Sequence, residues 1–376
     1  MLCRYDAMAL KSLDVFSVHG FPVSLLQCES NLLGVAGETS AVGSGGWLNV
    51  IEKFAKAKAY CQQPFETRHE GKRRIPIYIE GESVGERQVG GLPAEMKQVA
   101  LNCADAARVN LAGRTFDAIL TDPPYFRNVQ YAELMDFCYV WLRKLFSARH
   151  PEFAPLTTRH PDELTGNFSM GRTLEHFTEG MSRVFRKLAT ALKPGSPLVF
   201  TYHHNRLDAY FPIAVAMLDS GLVCSASLPC PAEMGASIHI NGTASSIIDT
   251  VFVCRATGRF PRRWLADTPE ALARLVRSDL QLLRRGNVKP SQGDTRCVVS
   301  GHLIRLAVWH LRNDWKASGD VVKRMCLVGK WIEDFGGAEA VLRELGDDFA
   351  KASPTQEWQL GDDVALYRTC ADEVSF

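Results

Sequence analysis

Thr121-Asp122-Pro123-Pro124-Tyr125 is where residue types and spacing best suit chemistry, at the end of the apolar run Phe116-Asp117-Ala118-Ile119-Leu120. Prolines directly after such a run stop it, because they fix φ and donate no backbone hydrogen bond. A carboxylate and a rigid backbone carbonyl at one strand tip make two neighbouring hydrogen-bond acceptors. An exocyclic amine on a heteroaromatic ring calls for that pair. Its lone pair is delocalised into the ring, so the nitrogen is a weak nucleophile; acceptors at its two hydrogens favour a pyramidal nitrogen and steady the charge that develops. Asp122 and the Pro123 carbonyl are the candidate acceptors, Pro124 stiffens the second, and Tyr125 offers a ring face to a base turned out of its stack. What remains is alignment rather than acid-base strength. A plain turn after a strand uses the same residue types; the regular α/β pattern around the motif favours the chemical reading.

The elements that must hold this tip follow from periodicity. Strands are expected at 99–103 (Val99 to Cys103), 116–121, 197–202, 222–227 and 247–254, with helices at 131–146, 174–192 and 209–218. Phe177, Met181, Val184, Phe185, Leu188 and Leu192 fall on one side of the second helix, which Lys193-Pro194-Gly195 stops; Gly221 closes the third. This order is the second half of a doubly wound α/β sheet, in which ligands sit beyond the strand carboxyl ends. Asp105, Asp122 and His203 are expected at those ends. Asp105 suits a ligand contact or a cap equally. His203 and His204 could touch a substrate or only cap their strand, and adjacent strand residues point opposite ways, which argues against a shared metal.

Flanking regions are less regular. Residues 1–95 hold an apolar stretch (Phe21 to Leu26), a glycine-rich loop from Gly34 to Gly46, and a helix from Trp47 to about Cys61 with Ile51, Phe54, Ala55 and Lys58 on one packing face. Arg68, Lys72, Arg73 and Arg74 form a basic knot in a loop or exposed hairpin at 67–95. Glu29 reads as a surface carboxylate. Residues 256–290 carry Arg259, Arg262, Arg263, Arg274, Arg277, Arg284, Arg285 and Lys289 against Asp267, Glu270 and Asp279, suiting a solvated face or a phosphate track beside Trp264. Residues 296–376 read as mainly helical. The aromatic residues of 131–146 read as core.

With 376 residues and a net charge of +1, the whole molecule is no electrostatic polyanion binder, so DNA would need a local patch. None of the eleven cysteines sits in a C-x-x-C pair, so no metal site is expected, and Cys138, Cys254 and Cys326 read as buried thiols of a reducing cytoplasm. No apolar run approaches the roughly 20 residues of a membrane span, and the first residues lack a signal-peptide core.

The run from Thr121 through Tyr131-Ala132-Glu133-Leu134-Met135-Asp136-Phe137-Cys138-Tyr139-Val140-Trp141-Leu142 resembles the large bacterial adenine-specific DNA methylases that contain a zinc ribbon. Those read TDPPY, a short linker and YAxLSDFFYVWL; here Met135 replaces a serine and Cys138 an aromatic residue. Lys193-Pro194-Gly195 to His204 is similar to the same family's next strand. The resemblance spans roughly 15–255 and is strongest over 96–205.

It implies an α/β fold with a Rossmann-like methyltransferase sheet, complete or partial, at 96–255, an N-terminal segment at 1–95 that completes it, and a mainly helical extension at 256–376. It further implies S-adenosyl-L-methionine as cofactor, with Asp105 and Thr121 as its contacts, and catalytic roles for Asp122, Pro123, Pro124 and Tyr125. The implied substrate is duplex DNA with a flipped adenine, and the implied location is the cytoplasm. The family's glycine-rich cofactor loop and zinc ribbon are not evident before Asp122; Gly43, Gly45 and Gly46 are the substitute candidates. The simplest account is a carboxyl-side half that takes the loop from a second chain. Two alternatives stand beside it: an RNA guanine-N2 methyltransferase, or a catalytically incomplete half that binds DNA or a partner.

Overall fold

The computed structural model describes residues 3–6, 11–14, 35–36, 41–42, 47–70, 73–86, 96–100, 102, 104–111, 113–126, 130–167, 170–232, 246–259 and 262–346. Contacts divide the chain into Met1–Ala104 with Ser237–His239, and Asp105–Ala236 with Ile240–Phe376. In the first unit, β1 (Cys3–Asp6) pairs antiparallel with β2 (Lys11–Asp14), and β3 (Val35–Ala36) with β4 (Ala41–Val42). Helix α1 (Trp47–Gln62) precedes the hairpin of β5 (Phe65–Glu70) and β6 (Arg73–Tyr78), and β7 (Ser83–Glu86) pairs parallel with β8 (Met96–Val99). Tyr60, Phe65 and Tyr78 meet edge to face, with centroids 5.2 and 5.7 Å apart, tying the hairpin to the end of α1. The helix has its expected span, but the face read as packing is exposed: Ile51 and Phe54 lie open, and the Lys58 ammonium sits over the Phe54 ring. Glu29, Lys72 and most of the glycine-rich loop fall outside the described residues.

The second unit runs β9 (Ile119–Thr121), α2 (Tyr131–Phe146), α3 (Leu174–Ala191), β10 (Leu198–Tyr202), α4 (Phe211–Asp219), β11 (Val223–Pro231), β12 (Ile248–Arg255), α5 (Pro269–Arg285), α6 (Gln292–Leu311), α7 (Val321–Asp334) and α8 (Gly337–Leu345). Its sheet is mixed. β9 and β10 are parallel, β12 is antiparallel to β10, and β11 is antiparallel to β12, in the order β11-β12-β10-β9. A parallel pair needs a long crossover, which α2 and α3 supply. Leu198, Phe200 and Tyr202 of β10 alternate inward, and Phe200 lies between Phe185 of α3 and Phe252 of β12 at 5.0 and 5.2 Å. Thr173 caps α3, and Gly195 (φ 80°) turns the chain into β10. Helix α4 is buried along its whole length and ends at Gly221 (φ 66°).

Helix α6 lies on the sheet at Gly301, where a Cβ would come within 2.5 Å of Ser227 Oγ and 2.7 Å of Thr250 Cγ2. Only glycine permits that approach, and it explains why the helical region shares one unit with the sheet. Where the sequence suggested breaks near 95 and 255, contacts place one at 104/105 and none at 255. The expected strand at 99–103 is instead β8, which ends at Val99 and pairs with β7 rather than joining the four-stranded sheet. Helix α2 also departs from expectation. It buries only Ala132 and Tyr139, because its polar side is tied to the following loop by Tyr139 to the Pro155 carbonyl (2.8 Å), Arg143 to the same carbonyl (2.9 Å) and Thr158 to Asp136 (2.7 Å). Much of its apolar side is exposed, Trp141 and Leu145 most of all. Of the three cysteines read as buried thiols, Cys254 is one, Cys138 is half-buried, and Cys326 is half-buried and disulfide-bonded.

Candidate active site

Because β9 ends at Thr121, Asp122 is the first residue beyond the strand. The parallel register that sets Thr121 opposite Phe200 brings Thr201 beside it. The Thr201 hydroxyl donates to Asp122 Oδ1, and the Tyr125 hydroxyl donates to the same oxygen over 3.1 Å. Asp122 is exposed, and its Oδ2 accepts nothing among the described residues. Two donors on one oxygen fix the carboxylate's orientation and leave the other oxygen's lone pairs turned outward. Pro123 is buried, which immobilises the peptide, while its carbonyl accepts no hydrogen bond among the described residues.

Tyr125 is propped from the core. Its ring meets buried Tyr202 edge-on at 5.3 Å; Tyr202 in turn meets Tyr210 at 5.1 Å and donates to the Ala209 carbonyl over 2.9 Å. Burial raises the Tyr125 phenol well above its usual range, the Thr201 hydroxyl opposes this, and the charges of Asp249 and Asp122 add to it. Tyr125 therefore stays a neutral donor and cannot act as a base at ordinary pH. Tyr131, the first residue of α2, stands by the same carboxylate: burial and the Asp122 charge raise its phenol.

β12 begins beside this edge. Asp249 is half-buried, 4.0 Å from His203 Nδ1, and that nitrogen donates to the Ile248 carbonyl over 3.0 Å. His203 is thus fixed at the strand tips by its neighbour strand. His204 Nδ1 accepts from the Arg206 amide over 3.0 Å, and burial pushes the ring down to about 4, with Asp208 opposing. A folded-state value below the usual 6.5 means that the unfolded chain takes up protons first, so stability is full above about pH 6.5 and falls as pH drops toward 4. His204→Gln should flatten that fall by roughly 2 kcal/mol, read from urea midpoints between pH 7.5 and 4.5. His302, buried and bonded to Asp279 at 2.8 Å, is lowered for the same reason and leaves a residual slope of the same sign.

Two further residues were expected to contact a ligand, Asp105 and Thr121. Asp105 closes its own turn, accepting the Ala107 amide at Oδ1 (2.8 Å) while Oδ2 pairs with Arg108 (3.3 Å). Thr121 is half-buried at the end of β9. Asp122, Pro123, Tyr125 and His203 are gathered by one sheet edge; Asp105 is held as a turn cap. Thr201, Tyr131 and Asp249, which no local sequence signal assigns to the site, also stand at it. Pairing the two parallel strands tip to tip would have pointed to Thr201, since it follows Phe200 as Asp122 follows Thr121. Among the described residues, no group of three or more His, Cys, Asp or Glu side chains could hold a metal.

Chemically, the edge offers an oriented carboxylate, an adjacent backbone carbonyl with no hydrogen-bond partner among the described residues, an aromatic ring bonded to that carboxylate, and a second carboxylate near enough to act on the Tyr125 phenol. It suits holding a neutral amine better than activating water. Comparison with family models, with curated proteins and with solved structures finds no match to this chain.

Proposed function

We propose that the strand-tip cluster grips the exocyclic amine of a nucleobase, and that the chain is an S-adenosylmethionine-dependent DNA methyltransferase acting on adenine N6. One observation carries this reading: Asp122 is exposed, with Oδ1 held by two hydroxyls and Oδ2 accepting nothing among the described residues. In the proposed complex, Oδ2 and the Pro123 carbonyl each accept one amine hydrogen, and the base lies against Tyr125. As the nitrogen becomes pyramidal, both acceptors gain strength, which lowers the barrier without proton transfer from an acid. The parallel β9–β10 pair, with helices in its crossover and the cluster at its carboxyl ends, fits the carboxyl-side half of a Rossmann-like sheet. Duplex DNA, entered by flipping the adenine, would be followed by exposed arginines of α5 such as Arg274 and Arg285. No helix among the described residues is long and apolar enough to cross a membrane; a cytoplasmic setting suits a DNA substrate.

In this reading the methyl group comes from S-adenosylmethionine, with Thr121 and Asp105 as contacts. The described residues fit the acceptor side of transfer better than the cofactor side, because both Asp105 oxygens are already engaged. Among the described residues β9 is also the sheet edge, and Leu120 within it is 77% exposed, which is unusual for a parallel strand. This favours a half-enzyme whose glycine-rich loop comes from a second chain.

The test is transfer of labelled methyl to duplex DNA and to tRNA. Label in DNA supports the reading, label in tRNA alone overturns it, and calorimetric silence with S-adenosylmethionine assigns the chain as the incomplete half. Thr201→Val should then lower the transfer rate about tenfold with little change in substrate affinity, because Asp122 keeps its charge and loses one of two anchors.

A further inference from the structure

The apolar side of α2 has no part in the site chemistry, yet its pattern is specific. Tyr131, Leu134, Cys138, Trp141 and Leu145 recur at spacings of three, four, three and four residues, the a/d seam of a helix that packs lengthwise on another helix. None of them is buried. Tyr131, Met135, Phe137, Trp141, Leu142 and Leu145 are 41–71% exposed. Side chains of this size present about 200 Å² each when free, so these six expose on the order of 600 Å² per chain. That lies at the upper limit of the largest patch on an ordinary monomer, about 300–600 Å². Doubled across two chains, it reaches the roughly 1,200 Å² at which specific interfaces begin.

We propose that α2 is the interface of a two-fold homodimer, in which the seams of two copies pack antiparallel about the middle of the helix. A two-fold contact lays the same surface against itself, and charge selects the direction. Antiparallel pairing about the midpoint of Tyr131–Phe146 sets Glu133 of one copy level with Lys144 of the other, whereas parallel pairing sets like charges together. The symmetry axis then passes by Cys138, which is a free thiol. Because Tyr131 begins the seam and stands beside Asp122, each copy walls the approach to its partner's strand-tip site. The dimer does not depend on methyl transfer and is tested without it.

Sedimentation velocity of the full chain should give twice the 41.7 kDa chain mass at micromolar concentration. Trp141→Glu with Leu145→Glu should shift it to monomer with an unchanged far-ultraviolet spectrum. Glu133→Lys alone should weaken the dimer several-fold, and Glu133→Lys with Lys144→Glu should restore it, which keeps the proposal testable if the seam variants misfold. Mild copper-phenanthroline oxidation should cross-link the native dimer, and Cys138→Ser should abolish that link. A monomer at tens of micromolar overturns the proposal. So does a dimer indifferent to both the seam and the charge variants, including one whose cross-link does not depend on Cys138.

Discussion

Asp122→Asn should cut methyl transfer by about 100- to 1,000-fold, the usual cost of removing one preorganised polar group from a transition state, and shift the melting temperature by only about 2 °C. The side chains are isosteric. The amide oxygen of the variant can still accept from Thr201 and Tyr125, as Asp122 Oδ1 does, so the loop keeps its anchors. The position of Oδ2 instead becomes an NH2, which in the proposed complex turns a donor toward the substrate amine and removes one of the two acceptors. Substrate affinity should fall much less than rate, because the interaction gains most of its strength as the nitrogen becomes pyramidal.

A second large effect lies away from the site. The Asp219 carboxylate, fully buried at the end of α4, accepts from Arg186 of α3 (3.2 Å), from Arg324 of α7 and from the Trp315 indole (2.9 Å). Glu179 also pairs with Arg324, whose side chain is 5% exposed. Asp219→Ala strands that guanidinium without its buried partner, and the expected loss is about 3–5 kcal/mol, measured by urea unfolding. Adding Arg324→Met should recover much of it, because an apolar side chain needs no counter-charge. If the double variant is no more stable than Asp219→Ala, the cluster's worth lies in packing and not in charge.

Legibility in the sequence followed the range of the interactions. Helices and strands of the second unit stand within a few residues of where periodicity put them, because α3 and β10 bury one face each and their residues repeat accordingly. Stop signals were local and equally readable: Gly195 and Gly221 hold positive φ at element ends. Where expectation failed, the deciding partner was distant or lacking among the described residues. The stretch after Val99 looked like a sheet strand by composition, but pairing with β7 decides where β8 goes. Helix α2 looked like core because it is apolar, whereas its polar side won the contact with 153–158 through specific hydrogen bonds. Composition reports that a surface is apolar and not what covers it. At the site, Asp122 and Tyr125 were legible as a motif, while Thr201 lies 79 residues from Asp122 and needed strand register.

The central claim is that this edge holds an exocyclic NH2. It is tested most directly by identifying the methylated nucleoside in duplex DNA, or in duplex DNA with a complementing chain present, by mass spectrometry after enzymatic digestion. The expected product is N6-methyldeoxyadenosine, absent when Asp122→Asn replaces the native chain. Methyl groups on a ring nitrogen or on a pyrimidine carbon, or N6-methyladenine formed undiminished by Asp122→Asn, would contradict it.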